Sequence, residues 1–327
     1  MSRRAGAVFL TLTLLLCVTG VYALMTGHFE LSAESVLQAL VGEGDPTAQQ
    51  IVRMIRLPRV LTAVLVGFAL GISGAIFQSV SKNVLGSPDV IGFTTGAATG
   101  AIVQIILFDG SPIAIVLSAI AGGLSTALLV YYLARHYGVV KGNRLVLMGI
   151  GVGAILGALN ALLLVKGDID NAVTATLWLA GTTQGRNWYH VASVAFTILA
   201  LLPAILLQVR AMNIMALGDD TAGQLGVRVE RTRRIVTFFA VTLAAVSTSA
   251  AGPIAFIALI APQLALRLTK TSGTPVLSAG LAGSCLLSGA DLITQIQPFA
   301  LTIPVGLMTG IIGGSYLLFL LLRSPSY

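Results

Sequence analysis

The side chains able to do chemistry are few: nineteen basic, twelve acidic, three histidines and two cysteines in 327 residues. An ion-driven carrier keeps ionisable groups within its membrane spans to bind the coupling ion. Here only Asp291 lies near the middle of a long apolar stretch, while His28 and His190 sit at the ends of such stretches. Asp291 is open to two readings: a proton site, or a group that packs helices together or caps a terminus. Cys17 and Cys285 both fall in apolar runs without metal-ligand spacing, so neither a metal centre nor a disulfide is expected. No Gly-x-x-x-x-Gly-Lys-Ser/Thr stretch is present to hold ATP in the P-loop manner. There is also no channel filter motif and no arginine ladder. The chain is therefore expected to catalyse no bond chemistry and to bind no cofactor, so energy for any pumping would enter from another subunit.

One charged segment, 213–234, suggests where. Met215–Val227 reads as a very short helix, with Asp219 or Asp220 capping its start and Gly226 ending it. A helix below about 12 residues is marginal alone. A partner surface would hold it; a solvated loop is the alternative.

The elements that must position these groups follow from the charge pattern. The chain is 56% hydrophobic and only 9% charged, against about 25% charged for a soluble domain. That excludes a water-soluble enzyme, a disordered chain and a disulfide scaffold. Charge-free intervals run between Arg4 and Glu30, Arg59 and Lys82, Asp89 and Asp109, Asp109 and Arg135, Arg144 and Lys166, Arg186 and Arg210, and Lys270 and Asp291. Each approaches or exceeds the roughly 20 residues that cross a bilayer. The longer interval Arg234–Arg267 is broken by Ala251-Gly252-Pro253 and reads as two spans. The last, after a turn at Gln297-Pro298 and Pro304, gives a span over 305–322.

The expectation is one all-α, ten-helix membrane domain over 1–327, with both termini on one side. Fourteen of the nineteen basic residues fall in one set of loops; only Arg53, Arg56, Arg59, Lys166 and Arg186 fall in the other. The positive-inside rule then puts the richer set, and both termini, in the cytoplasm. Leu16 precedes Cys17 where a lipoprotein cleavage site wants a small residue, so the first span is expected to stay uncleaved. Glycines at helical spacing (Gly67, Gly71 and Gly74; Gly149, Gly153 and Gly157; Gly306, Gly310 and Gly313) read as close-packing stripes. For Gly149–Gly157 a second reading is an unobstructed pathway wall. Trp178 and Trp188 read as interface anchors.

Several motifs in order carry a resemblance: Arg56-Leu57-Pro58-Arg59, Ser73-Gly74-Ala75-Ile76-Phe77-Gln78, Asn83-Val84-Leu85-Gly86-Ser87-Pro88-Asp89, Gly218-Asp219-Asp220-Thr221-Ala222, Gly252-Pro253-Ile254-Ala255-Phe256, Ala261-Pro262 and Pro304-Val305-Gly306. From about Arg56 to Arg323 the chain resembles the permease subunits of ABC importers for iron–siderophore complexes, haem and vitamin B12. The wording at 86–93 and 218–221 is closest to the ferric-enterobactin type.

The resemblance implies ten helices per subunit, paired around a central pathway, and import of a ferric siderophore, with haem or a cobamide as alternatives. It implies two cytoplasmic ATPase subunits, which hold the ATP and magnesium, and an extracytoplasmic binding protein. A second permease is implied too, with a heterodimer favoured over a homodimer. Gly218, Asp219, Asp220, Thr221, Ala222, Leu225 and Gly226 match the coupling helix that docks on the ATPase. Arg56 and Arg59 match the site that pairs with acidic groups of the binding protein, with arginines snorkelling to headgroups as the alternative. A further basic residue of that site is Gln295 here. Asn83, Leu85, Gly142 and Asn143 match the cytoplasmic gate, with Gly149 and Gly153 beside the pathway. The family's proline after the asparagine is Val84, which removes one source of loop rigidity, and its Pro-His pair is Pro262-Gln263. Secondary transport through Asp291 is the competing function.

Overall fold

The structure is a computed structural model that describes residues 3–27, 29–136, 139–140, 142–296 and 303–323. The expected Gln297-Pro298 turn, His28 and Lys141 lie outside them. Each expected span corresponds to one helix: α1 (Arg3–Met25), α4 (Leu57–Ser81), α5 (Phe93–Phe108), α6 (Pro112–Ala134), α7 (Gly142–Lys166), α9 (Trp188–Met215), α11 (Val229–Ala251), α12 (Ile257–Thr269), α13 (Val276–Ile296) and α14 (Val305–Arg323). Shorter helices join them: α2 (Ala33–Val41), α3 (Pro46–Gln50), α8 (Ile169–Leu179) and α10 (Asp219–Gln224). Pro46–Gln50 runs through a π-helical stretch, Ile51–Arg56, directly into α4. The described residues contain one short antiparallel ladder, β1 (Arg135–His136) with β2 (Val139–Val140).

Seven of the described helices are long and apolar enough to cross a membrane, and α5, α12 and α14 are shorter apolar helices. With its 13 residues α12 reaches about 20 Å, short of the roughly 30 Å hydrocarbon layer. It follows the break expected at Ala251-Gly252-Pro253. Gly252 sits at φ 73°, a conformation open to glycine at little cost. Polar backbone freed by a break between apolar helices needs partners inside the protein. The Thr182 amide donates to the Ala251 carbonyl at 2.7 Å, and the Phe256 amide donates to the Asp89 carboxylate at 3.2 Å.

At the centre of the fold is α4, packed against α13, α11, α12 and α9. A Cβ on Gly67 or Gly71 would overlap the carbonyl oxygens of Gly283 or Ala279 in α13, and one on Gly74 would overlap that of Ala258 in α12. The stripe is a close-packing surface. Hydroxyls and amides reinforce it: Ser73 donates to the Ala240 carbonyl (2.7 Å), Ser284 to that of Val64 (2.8 Å) and Gln78 to that of Leu259 (2.9 Å). Gln263, the departure from the Pro-His pair, donates to Gln78 at 2.6 Å.

Trp178, expected as an interface anchor, is partly buried. It packs inward from α8 among Ile102, Ile105 and Leu163, because an eleven-residue amphipathic helix has its own apolar face to bury.

Replacing Gly74 by valine should cost about 1–3 kcal/mol through overpacking, read as a lowered Tm of the detergent-solubilised protein. Gly151→Val adds its side chain where nothing lies within 4 Å, and should leave Tm unchanged. An equal loss in both would contradict the packing account.

Candidate functional site

The candidate residues gather at the two ends of α4. At its C-terminal end, Lys82 stops the helix in a left-handed conformation (φ 52°) and Asn83 follows. The Asn83 side-chain oxygen accepts from the Leu85 amide (2.9 Å), and the Gly86 amide returns to the Asn83 carbonyl (3.0 Å). This asparagine turn supplies the constraint that proline would have given at Val84. Leu85 stands exposed beyond the turn. Gly142, at the start of α7, lies so close to the same corner that a Cβ there would meet the Ser81 carbonyl oxygen at 2.6 Å. Asn143 is exposed beside it. The two expected gate elements are thus in contact.

Gly149 and Gly153 have a different role from the pathway wall considered for them. A Cβ on Gly149 would overlap the Ile91 carbonyl, and one on Gly153 would come within 3.2 Å of the Gly92 Cα. Both glycines pack α7 against the Ile91-Gly92 turn. The face of α7 with open space beside it carries Gly151 and Gly157.

Next to this corner lies α10, against α9 and α11; it covers only Asp219–Gln224 of the expected Met215–Val227, because α9 runs on through Met215. Neither aspartate caps it. Gly218 occupies the N-cap at φ 121° with no side-chain hydrogen bond, and Gly226 at φ 82° ends the turn. The reason is that the Asp219 carboxylate is engaged elsewhere. It accepts from Lys82 Nζ at 3.0 Å and from Arg233 Nη2 at 2.7 Å. Arg233 is only 2% exposed and also pairs with Glu230. Asp220, Thr221, Leu225 and Gly226 are exposed, whereas Ala222 is buried and anchors the helix from within. Ala222 therefore drops out of the expected docking surface, since a fully covered methyl offers nothing to a partner.

Burial pushes the Asp219 carboxyl up, but its bonds from Arg233 and Lys82 outweigh this and hold it below the ordinary aspartate value. The stability it lends is thus fully present above the free value of about 3.9. It is lost only as pH falls through the lower folded one.

At the opposite end the arginines are committed to the protein itself. Arg56, expected on a docking surface, is 8% exposed. Its guanidinium donates to the carbonyls of Leu24 (2.7 Å), Met25 (3.1 Å) and Phe29. A planar five-donor fork suits the carbonyls of the last turn of α1, which lack intrahelical partners, and that of Phe29 just beyond it. Arg53 likewise donates to the Leu40 carbonyl at 2.7 Å. Arg59 is held by Asp291, with Nη2 to Oδ1 at 2.9 Å and Nε to both oxygens at 3.1 Å.

Asp291 also accepts from Thr183 and from Gln295 Nε2 at 2.8 Å. Gln295, noted as a departure, completes this cluster. Every oxygen of Asp291 is occupied, so it sits as a structural acceptor rather than a vacant ion site. Above the cluster opens a cavity of about 860 Å³ whose walls include Arg59, Leu177, Thr183, Gln184, Thr294 and Gln295. Sequence reasoning missed Thr183, Lys82 and Arg233, each notable only through its partner.

Arg59→Met should leave a buried carboxylate unpaired and cost about 3–5 kcal/mol. Combining it with Asp291→Leu should recover most of that, as measured by Tm in a double-mutant cycle. Near-additive losses would mean that the pair is not desolvated.

Comparison with known proteins agrees with this architecture. The model of the FecCD transport family matches residues 14–323. The chain is 44% identical over 322 residues to the ferric enterobactin transport system permease protein FepG of Escherichia coli (strain K12), covering 98% of this chain and 97% of that protein. It is 36% identical to the iron(3+)-hydroxamate import system permease protein FhuG of Bacillus subtilis (strain 168), over 95% of each. A solved structure described as an inward-facing conformation of a metal-chelate type ABC transporter superposes with a TM-score of 0.87 at 28% identity, covering 98% of this chain and all of that one. With ten apolar helices in the expected order and a match that runs almost end to end, the chain belongs to the FecCD transport family.

Proposed function

We propose that the chain is the permease subunit of an ATP-driven importer that carries a ferric siderophore across the cytoplasmic membrane into the cell. The observation that carries this reading is the 44% identity to a ferric enterobactin permease over 98% of the chain. The exposed edge of α10 supports it from the geometry. Six residues cannot fold alone, yet Asp220, Thr221, Leu225 and Gly226 stand clear of the body. This edge is the docking surface for one of two ATPase subunits, which bind the ATP and magnesium, and the chain itself binds no cofactor. The α4 corner and the start of α7 form the cytoplasmic gate. The distribution of basic loops orients this end, and both termini, toward the cytoplasm. A second permease completes the pathway, as a heterodimer in the manner suggested by the enterobactin-like motifs. A soluble binding protein meets the opposite face around the 860 Å³ cavity.

The test is reconstitution of the permease pair with its ATPase and binding protein in proteoliposomes, supplied in turn with ferric siderophores, haem and cobalamin. A ferric siderophore should accumulate only with ATP, and a protonophore should not affect it. Collapse of uptake by the protonophore with ATP maintained would instead establish secondary transport. In the same assay, Asp220→Arg on the exposed edge should lower uptake about tenfold, equivalent to about 1.4 kcal/mol of docking free energy. Undiminished uptake would exclude this edge as the ATPase contact.

A further inference from the structure

We infer that Lys82 is a positioning residue that ties α10 to the gate corner, so that displacement of the coupling helix is passed to the Asn83–Pro88 loop through Asp219. The inference rests on the importer reading above. Lys82 is the C-cap of α4, between Ser81 and Asn83, and Asp219 is the first residue of α10 after Gly218; their side chains meet at 3.0 Å across 137 residues of sequence. The pair thus joins the cap that ends α4 to the residue that opens α10.

The two sides of Asp219 differ. Toward the body it meets Arg233, a 2%-exposed guanidinium on α11 that also pairs with Glu230. Toward the gate it meets Lys82, which is 42% exposed and free to follow α10 on a flexible four-carbon stem. The backbone at Lys82 adds a second observation. A residue with a Cβ is disfavoured at φ 52°, and such strain persists where the surroundings impose it. Ser81, directly before it, lies against Gly142 of α7. A pull on Lys82 therefore reaches both walls of the gate corner.

Stability alone gives little reason for the contact, because ion pairs this exposed contribute little to it. Asp219 is the wrong residue to alter, since its loss also takes one of two carboxylate partners from buried Arg233. Lys82 can be changed without that damage.

The experiment uses the reconstituted complex with Lys82→Met and Lys82→Arg, measuring uptake per ATP hydrolysed together with Tm. Lys82→Met should lower uptake per ATP by about two- to fivefold, the scale of an exposed pair, while Tm and hydrolysis rate are kept. Lys82→Arg should restore the ratio. A wild-type ratio in Lys82→Met overturns the inference, as does a loss shared by both variants and matched by a fall in Tm. Absence of ATP-dependent uptake in the wild-type complex would remove the importer reading itself, and the inference with it.

Discussion

The fold depends on how closely other backbones can approach α4. Within a bilayer, helices gain nothing by hiding apolar surface from lipid of equal polarity, so association rests on dispersion and hydrogen bonds. Dispersion fades within an ångström of separation. Gly67, Gly71 and Gly74 remove the side chains that would hold α13 and α12 away, bringing carbonyls of Gly283, Ala279 and Ala258 to the α4 surface. Once the helices are this close, short hydroxyl donors suffice to bridge them, as Ser73 and Ser284 do.

This central rod carries an ionic cluster at each end. Beside its first turn, Arg59 joins Asp291, Thr183 and Gln295, linking α13 to the loop after α8. At its C-cap, Lys82 joins Asp219 and through it Arg233, linking α10 and α11. The scarce charges here are spent on fixing helix ends, and the one acid within an apolar stretch is fully engaged. The end with Lys82 remains more exposed than the end with Arg59.

Much of this was legible before any fold was considered. The ten helices follow from uncharged intervals, and the α11–α12 interruption from Gly252-Pro253, where one residue favours positive φ and the next lacks an amide hydrogen. The α10 segment followed from two aspartates and a closing glycine, although their capping role did not hold because Asp219 found stronger partners. Arg56 was misread for a related reason. Its motif points outward to an acidic partner, but carbonyls in the last turn of α1 and just beyond it, 27 to 32 residues away, claim its guanidinium. Gly149 was ambiguous in sequence because a packing stripe and a pathway wall both call for small residues. Only the position of the Ile91-Gly92 turn separates them.

The sequence by itself determined the class, the number and order of the apolar helices, and the segments where the chain must turn or break. These follow from transfer free energies and backbone preferences that act locally and add along the chain. Tertiary structure alone decided which charges meet. Arg59 and Asp291 stand 232 residues apart, and Lys82 and Asp219 stand 137 apart. Whether such a group faces outward or is consumed inside depends on which helix ends are neighbours. That is set by the glycine-mediated packing around α4, and no local pattern encodes it.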